Sequence, residues 1–220
     1  MAEGLRLDGL CILRGETPLI EVDATVPPGE VLTVMGPSGV GKSTLLAYLT
    51  GTLPKGFAGM GRVFLGGQEI TDLPPHARRL GILFQDDLLF PHLSVGANAA
   101  FGLAPGGPAA RRRRAVAEAL ADVGLGGFED RDPATLSGGQ KARVALVRML
   151  LSEPRALLLD EAFSGLDATL RAQTRRLVFD RARARALPVL MVTHDADDAR
   201  AAGGAVLEMQ AWRPTDRRAP

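Results

Sequence analysis

Residues 31–44 read VLTVMGPSGVGKST, which is an apolar strand, a glycine-rich loop and the start of a helix. Positions 36–43 match the pattern G-x-x-x-x-G-K-[ST], whose backbone N–H groups cradle phosphates. Lys42 is expected to neutralise the β- and γ-phosphates, and Ser43 to ligate Mg²⁺. The alternative is an incidental glycine turn before a helix, which would have to match the whole pattern in this context. The stretch predicts a nucleoside triphosphate site with Mg²⁺, formed by Gly36, Pro37, Ser38, Gly39, Val40, Gly41, Lys42, Ser43 and Thr44.

Two polar groups follow later apolar strands, where a parallel sheet exposes its carboxyl ends to ligands. Asp160 and Glu161 follow the apolar residues 156–159, and His194 follows the apolar residues 189–192. Asp160 is expected to hold Mg²⁺, Glu161 to act as general base on water, and His194 to sense phosphate. The alternatives are that the acid pair caps a helix and that the histidine caps a strand or helix. After a phosphate loop, the catalytic interpretation is favoured.

A second anion site is predicted about a hundred residues after the first. Ser137-Gly138-Gly139-Gln140 opens a predicted helix, and free N–H groups at a helix start attract anions. Serine is also an ordinary helix cap, and Gly-Gly an ordinary loop end. Because the phosphate loop already accounts for one triphosphate, this segment needs a separate explanation.

Taken together, these motifs resemble those of the ATP-binding cassette (ABC) ATPases, and the resemblance runs from about Leu5 to Met209. It implies that two copies pair head to tail and that residues 137–140 of one copy cap the γ-phosphate of ATP on the other. Gln85 resembles the glutamine that touches Mg²⁺ and water. Residues 164–167 (SGLD) resemble the segment that crosses the dimer interface, with Asp167 near the nucleotide.

Strands alternating with helices predict an α/β fold with a parallel sheet. The resemblance implies a P-loop NTPase: a RecA-like parallel core, an antiparallel β subdomain and an inserted α-helical subdomain. We expect the cassette to span residues 1–210, with the helical insertion at about 86–150 and a flexible tail at 211–220.

Two positions depart from the family pattern. Arg14 stands where an aromatic residue usually stacks on adenine, and we expect its guanidinium to pack on the base instead. Ala162 replaces the proline that commonly follows the acid pair, which is expected to loosen that turn.

Composition limits the possible partners. The net charge is +1, so no global field draws in nucleic acid, and the basic run 111–114 is interpreted as a solvated helix face. Cys11 is the only cysteine, which fits a reducing cytosol. No apolar run approaches the roughly 20 residues that span a bilayer. For the transporter subunit that the resemblance implies, the permease would then be a separate membrane protein, and we expect the chain on the cytoplasmic face of the inner membrane.

Residues 86–95, after Gln85, resemble the stretch of bacterial importer ATPases that borders the permease groove. The resemblance thus implies an importer subunit for a small solute, with ATP and Mg²⁺ as cofactors. The partners would be a second copy, the permease and a solute-binding protein, with no nucleic acid. An ABC export or lipoprotein-release system is the nearer alternative, because it shares the catalytic residues. A soluble ABC ATPase of DNA repair or chromosome organisation would need a long coiled coil, and the sequence lacks sustained heptads.

Overall fold

The computed structural model describes residues 4–209, and its strands form two sheets. The first sheet is antiparallel and has the order β2-β1-β4-β5. Alternate residues of β1, such as Leu5 and Leu7, point into a shared apolar core, as expected for a sheet with one buried face. Its strands are β1 (Leu5–Arg14), β2 (Thr17–Val26), β4 (Phe57–Leu65) and β5 (Gln68–Glu69).

The second sheet is parallel, has the order β6-β7-β8-β3-β9, and is buried on both faces. Its central strands are almost wholly apolar, which explains why they show no alternation. The prediction of a parallel core beside an antiparallel sheet is confirmed. The strands are β3 (Val31–Met35), β6 (Leu80–Leu83), β7 (Ala156–Asp160), β8 (Val189–Thr193) and β9 (Ala205–Glu208).

Six α-helices in the described residues connect these strands. A separate apolar core joins α2, α3 and α4 and includes Val95, Leu120 and Val144, while α4 also packs on β6 and α5. These helices lie in the region expected to form the insertion. The helices are α1 (Lys42–Thr50), α2 (Val95–Ala100), α3 (Ala109–Ala121), α4 (Gly138–Leu151), α5 (Ala168–Ala184) and α6 (Ala196–Ala202).

Strand β4 extends from Phe57 through Gly59 and Gly61. Residues 57–60 pair with β1 although glycines weaken strand propensity. Tertiary packing explains this, because a Cβ on Gly59 would lie 2.0 Å from the Tyr48 ring. The glycine lets an aromatic side chain of α1 lie against the strand.

The predicted tail, 211–220, lies outside the described residues, as do the first three residues and residue 210 of the predicted cassette. Within residues 4–209, no helix combines the length and the apolar character needed to cross a membrane.

The C-terminal end of α1 is held by one buried guanidinium. Arg78 donates to the carbonyl oxygens of Tyr48 (2.9 Å) and Leu49 (2.7 Å), which end the helix. It also donates to Leu73 O and Thr71 O in the loop after β5. A cation at a helix C-terminus satisfies orphan carbonyls and interacts favourably with the helix dipole. Arg78 therefore fixes the far end of the helix that begins at the phosphate loop.

Replacing Arg78 with alanine should lower the free energy of unfolding by about 3 kcal/mol or more, because four carbonyl oxygens lose a charged donor. Chemical denaturation measures this. Arg79→Ala is the matched control: its exposed side chain donates only to Glu153 O, so we expect a loss within about 1 kcal/mol. Equal losses in both variants would contradict the anchoring role.

Candidate active site

Four strand ends of the parallel sheet meet at one edge. The register pairs Met35 of β3 with Thr193 of β8, and Leu83 of β6 with Leu159 of β7. The loops that leave these strands therefore start side by side. They carry the phosphate loop, Gln85, the acid pair and His194.

The phosphate loop ends at Gly41, which precedes α1 and has no side chain to cap it. Its φ of 105° suits glycine, and a Cβ there would lie 2.9 Å from Ile20 Cδ1 of β2. The first N–H groups of α1 are thus available to an anion. Arg14, expected beside adenine, lies exposed at the end of β1.

Lys42 is the first residue of α1 and is only 5% exposed. Its ammonium donates to Gly36 O (2.7 Å) and Pro37 O (3.0 Å), and lies 3.9 Å from Glu161 Oε1. The backbone of the phosphate loop therefore holds the ammonium group in place. The ammonium faces the acid pair at the end of β7.

Ser43 and Asp160 are 117 positions apart in sequence and meet directly: the Ser43 hydroxyl donates to Asp160 Oδ1 at 3.2 Å. Burial raises the pKa of the Asp160 carboxyl above its ordinary value, and the charge of Glu161 acts in the same direction. The Ser43 bond and the Lys42 ammonium oppose that rise. A cation beside these oxygens would favour the ionised carboxylate.

Glu161 sits in a strained turn directly after β7. Its φ is 47°, in the left-handed region that non-glycine residues rarely adopt, and its N–H donates to Val192 O at 3.0 Å. Glu161 Oε2 lies 3.1 Å from Nδ1 of His194, which follows β8. The turn thus brings the proposed base into contact with the proposed phosphate sensor.

A cleft of about 380 Å³ lies at this edge of the sheet. Gln85 lines it, beside Ser43 and Glu161, so the cleft brings together residues from three separate loops, and His194 of the fourth loop contacts Glu161. A larger cavity, of about 570 Å³, lies between α2 and α3 and contains none of the predicted site residues. In the described chain, the cleft is lined by Ser38, Ser43, Phe84, Gln85, Asp86, Leu88, Asp160 and Glu161.

The predicted second anion site is not among these lining residues. Ser137 caps α4: its hydroxyl accepts from Gln140 N (3.4 Å), and its N–H donates to Gln140 Oε1 (3.0 Å). This reciprocal capping box fixes the helix start. Within the described residues of one chain, the two anion sites belong to different elements, and only one adjoins the acid pair.

The two glycines of this segment have different surroundings. A Cβ on Gly139 would lie 2.2 Å from Leu170 Cδ1 of α5, so a larger residue would force the Leu170 side chain to move. A Cβ on Gly138 would meet nothing within 4 Å, so packing in the chain does not explain that glycine. Asp167, the other predicted interface residue, caps α5 by accepting from Leu170 N at 3.0 Å.

Sequence reasoning missed two arginines near the site. Arg148 of α4 donates to Leu88 O (2.8 Å) and Asp87 O (2.9 Å), and so holds the segment after Gln85. Arg171 of α5 donates to Asp195 Oδ2 and to Ser164 O. The acceptors of Arg148 lie 60 and 61 positions away, and Asp195 lies 24 positions from Arg171, so local patterns carry no signal for these contacts.

The comparisons with known proteins agree with this geometry. The sequence model described as "ABC transporter" matches residues 19–164. The chain belongs to the ATP-binding proteins of ABC transporters. The cassette is 50% identical over 194 residues to the uncharacterized ABC transporter ATP-binding protein YnjD of Escherichia coli strain K12, covering 88% of this chain and 89% of that protein.

A second relative is the thiamine import ATP-binding protein ThiQ of Cereibacter sphaeroides, with 45% identity over 89% of this cassette and 84% of the relative. Among solved structures, the ATP-binding cassette MJ0796, in a dimeric post-hydrolysis state bound to ADP and Pi, matches with a TM-score of 0.77. The identity is 28%, and the match covers 94% of each chain. The predictions of the family, the P-loop NTPase fold, ATP binding and ABC-type ATPase activity are confirmed.

The contrast between Gly138 and Gly139 gives a test. Gly138→Ala should leave the free energy of unfolding nearly unchanged but reduce ATP turnover by about tenfold or more, because the added methyl would project where a second copy's phosphate is expected. Gly139→Ala should instead lower stability by about 1–3 kcal/mol through its contact with Leu170. Denaturation and steady-state turnover measure the two effects. Normal turnover in Gly138→Ala would contradict a role for Gly138 in catalysis.

Proposed function

We propose that this cassette is the ATP-hydrolysing subunit of an importer for a small solute, and that it works as a homodimer bound to a separate membrane permease. The main support is that the predicted ATP-binding residues of one chain lie in two separate places. Lys42 and Glu161 meet at the sheet edge, whereas Ser137 starts a helix outside the cleft. The proposal explains the division, because the second copy would supply the missing anion site. The relative named for thiamine import supports the direction of transport.

The proposed chemistry begins with the phosphates of ATP on the loop 36–43. The uncapped start of α1 offers N–H groups and the positive end of the helix dipole. Lys42 would turn from the carbonyls of Gly36 and Pro37 towards the β- and γ-phosphates. Phosphoryl transfer depends chiefly on such positioning and charge neutralisation.

The donor atoms near the phosphate loop fit Mg²⁺. In the described residues, no group of three or more His, Cys, Asp or Glu side chains could hold a metal ion. Mg²⁺ usually needs only one or two carboxylates when substrate phosphates supply other oxygens. Ser43 Oγ and Asp160 Oδ1, 3.2 Å apart, match that requirement, with Gln85 on the same cleft. Bound there, Mg²⁺ would neutralise charge on the β- and γ-oxygens.

Glu161 is proposed as the general base that orients the attacking water. The contact of 3.1 Å with His194 Nδ1 fixes one carboxylate oxygen, while the other oxygen lies 3.9 Å from the Lys42 ammonium. The base is therefore held between the phosphate-binding cation and the imidazole. His194 would also contact the γ-phosphate and report its loss.

ATP would act as the link between the two copies. Its γ-phosphate would contact Lys42 of one copy and Ser137 of the other, so the closed dimer binds ATP better than the open pair does. Hydrolysis and phosphate release remove that anion, and the population shifts back to the open state. This cycle converts the chemical step into movement of the permease.

The surface after Gln85 is suited to a permease. We define the aromatic patch as Leu88, Phe90 and Phe101. The tilted rings of Phe90 and Phe101 pack with centroids 4.7 Å apart, and Leu88 and Phe101 are 56% and 67% exposed. Contiguous exposed apolar side chains often mark protein interfaces. Arg148 holds the backbone of this segment, so nucleotide-dependent movement of Gln85 would reach the patch. Binding there would locate the cassette on the cytoplasmic face of the inner membrane.

The first test replaces the proposed base. Glu161→Gln should bind ATP, lose nearly all turnover and accumulate as an ATP-bound dimer, because the amide cannot accept the proton from water. Size-exclusion chromatography with light scattering, with and without ATP, measures the dimer. A variant that stays monomeric and retains turnover would refute the assignment of Glu161.

The second test addresses the permease surface. Phe101→Asp should weaken co-purification of the cassette with its permease from membranes, while ATP binding by the isolated cassette stays unchanged. Met60→Asp is the matched control, because Met60 is 54% exposed on β4 of the antiparallel sheet. Equal retention of the permease by both variants would contradict the proposed role of the patch.

A further inference from the structure

Arg171, in the first turn of α5, joins two loops of the active site. Its guanidinium donates to Asp195 Oδ2 at 2.6 Å and to Ser164 O at 3.0 Å. Both partners and the arginine are partly shielded from solvent. A planar guanidinium can hold two acceptors in a fixed geometry, which a lysine ammonium does less well. Arg171 thus ties the segment before α5 to the loop after β8.

Both ends of this link lead back to Glu161. On one side, the N–H and the hydroxyl of Ser164 donate to Glu161 O at 3.0 and 2.9 Å. On the other, Asp195 follows His194, whose Nδ1 lies 3.1 Å from Glu161 Oε2. The contacts form a closed circuit from the backbone of Glu161, through Arg171, to its side chain.

The segment 164–167 is also the part of this circuit that faces outwards. Gly165 has open space around its Cα, and Asp167 is exposed apart from its capping bond. Arg171 N donates to Asp167 O at 2.8 Å, so the arginine lies one helical turn from the segment's end. A displacement of this segment would therefore change the geometry at Arg171.

The folding of α5 has a separate anchor. Arg175 and Asp198 form an ion pair at 2.9 Å whose side chains are 13% and 2% exposed, and Asp198 Oδ2 accepts from the Thr193 hydroxyl. This buried pair already joins α5 to α6 and β8. The more exposed Arg171 link duplicates that connection but adds contacts to the active-site loops.

Asp195, which accepts the hydrogen bond from Arg171, carries a negative charge that favours this ion pair. A bond from the N–H of Asp197 holds the pKa of the Asp195 carboxyl below its ordinary value, and the charges of Arg171 and Arg175 act in the same direction. Asp195 therefore remains ionised at neutral pH and also caps α6.

We propose that Arg171 is a positioning residue that couples the segment 164–167 to the Glu161–His194 contact. Contact of a second copy with that segment then sets the alignment of the base and the phosphate sensor. This coupling rests on the proposed function, because it needs the head-to-tail dimer. It explains how each site would hydrolyse ATP only after the copies have closed.

The experiment compares Arg171→Gln, Arg171→Lys and the control Arg181→Gln. Arg181 lies on the same helix but pairs with Asp122, away from the cleft. Arg171→Gln should lower kcat by about tenfold or more with KM for ATP changed by less than about twofold, because binding is intact and alignment is lost. Arg171→Lys should stay well below the wild-type kcat, since one ammonium cannot bridge both acceptors as the guanidinium does. Arg181→Gln should keep kcat and KM.

Two further measurements distinguish an effect on the alignment of Glu161 and His194 from an effect on dimer formation. In the Glu161→Gln background, Arg171→Gln should still form the ATP-dependent dimer. Asp195→Asn keeps a good helix cap but removes the charge. If Arg171 acts through Asp195, the double variant Arg171→Gln/Asp195→Asn should have a kcat no lower than that of the slower single variant. Additive losses would overturn the link through Asp195.

The outcomes distinguish the coupling from the function on which it rests. A wild-type kcat in Arg171→Gln or Arg171→Lys, beside a normal dimer of Glu161→Gln, would overturn the coupling alone. Loss of the dimer on adding Arg171→Gln to Glu161→Gln would also overturn it, since Arg171 would then act on assembly. If Glu161→Gln itself fails to dimerise with ATP, the composite site is contradicted and the coupling falls with it.

Discussion

The carboxyl edge of the parallel sheet is the constraint on which the other features of this cassette depend. The strand order β6-β7-β8-β3-β9 makes the ends of four strands neighbours, although those strands are far apart in sequence. Each strand then needs only one or two polar residues after its last apolar position to contribute to the site. The contacts between Ser43 and Asp160, and between Glu161 and His194, follow directly from this arrangement.

The two proposed phosphate-binding sites lie at the starts of two different helices. α1 begins at a glycine and leaves its first N–H groups to a ligand, whereas α4 begins with the Ser137–Gln140 capping box. A box of this kind makes the second start rigid before any ligand arrives, which reduces the entropy lost on binding. The open space at Gly138 and the close packing at Gly139 suit a rigid surface that meets another copy.

Much of the fold could be predicted, because the local patterns agree with the tertiary structure. The apolar runs of β3, β7 and β8 and the loop 36–43 predicted a parallel sheet that is observed. The start of β4 could not be predicted from local patterns, since Gly59 serves the packing of Tyr48 rather than a turn. Arg148 and Arg171 could not be predicted, because three of their four acceptors are backbone carbonyls, which any residue type supplies. The shared placement of the catalytic residues follows from topology, but their individual roles remain predictions.

In the proposed dimer, each chain carries half of each catalytic site. The most direct measurement is an experimental structure of Glu161→Gln bound to ATP and Mg²⁺. The expected result is a twofold dimer in which the γ-phosphate lies between Lys42 of one copy and Ser137 and Gly138 of the other. A Glu161→Gln structure in which each ATP contacts residues of a single copy only, with Ser137 and Gly138 of the other copy away from the γ-phosphate, would contradict it.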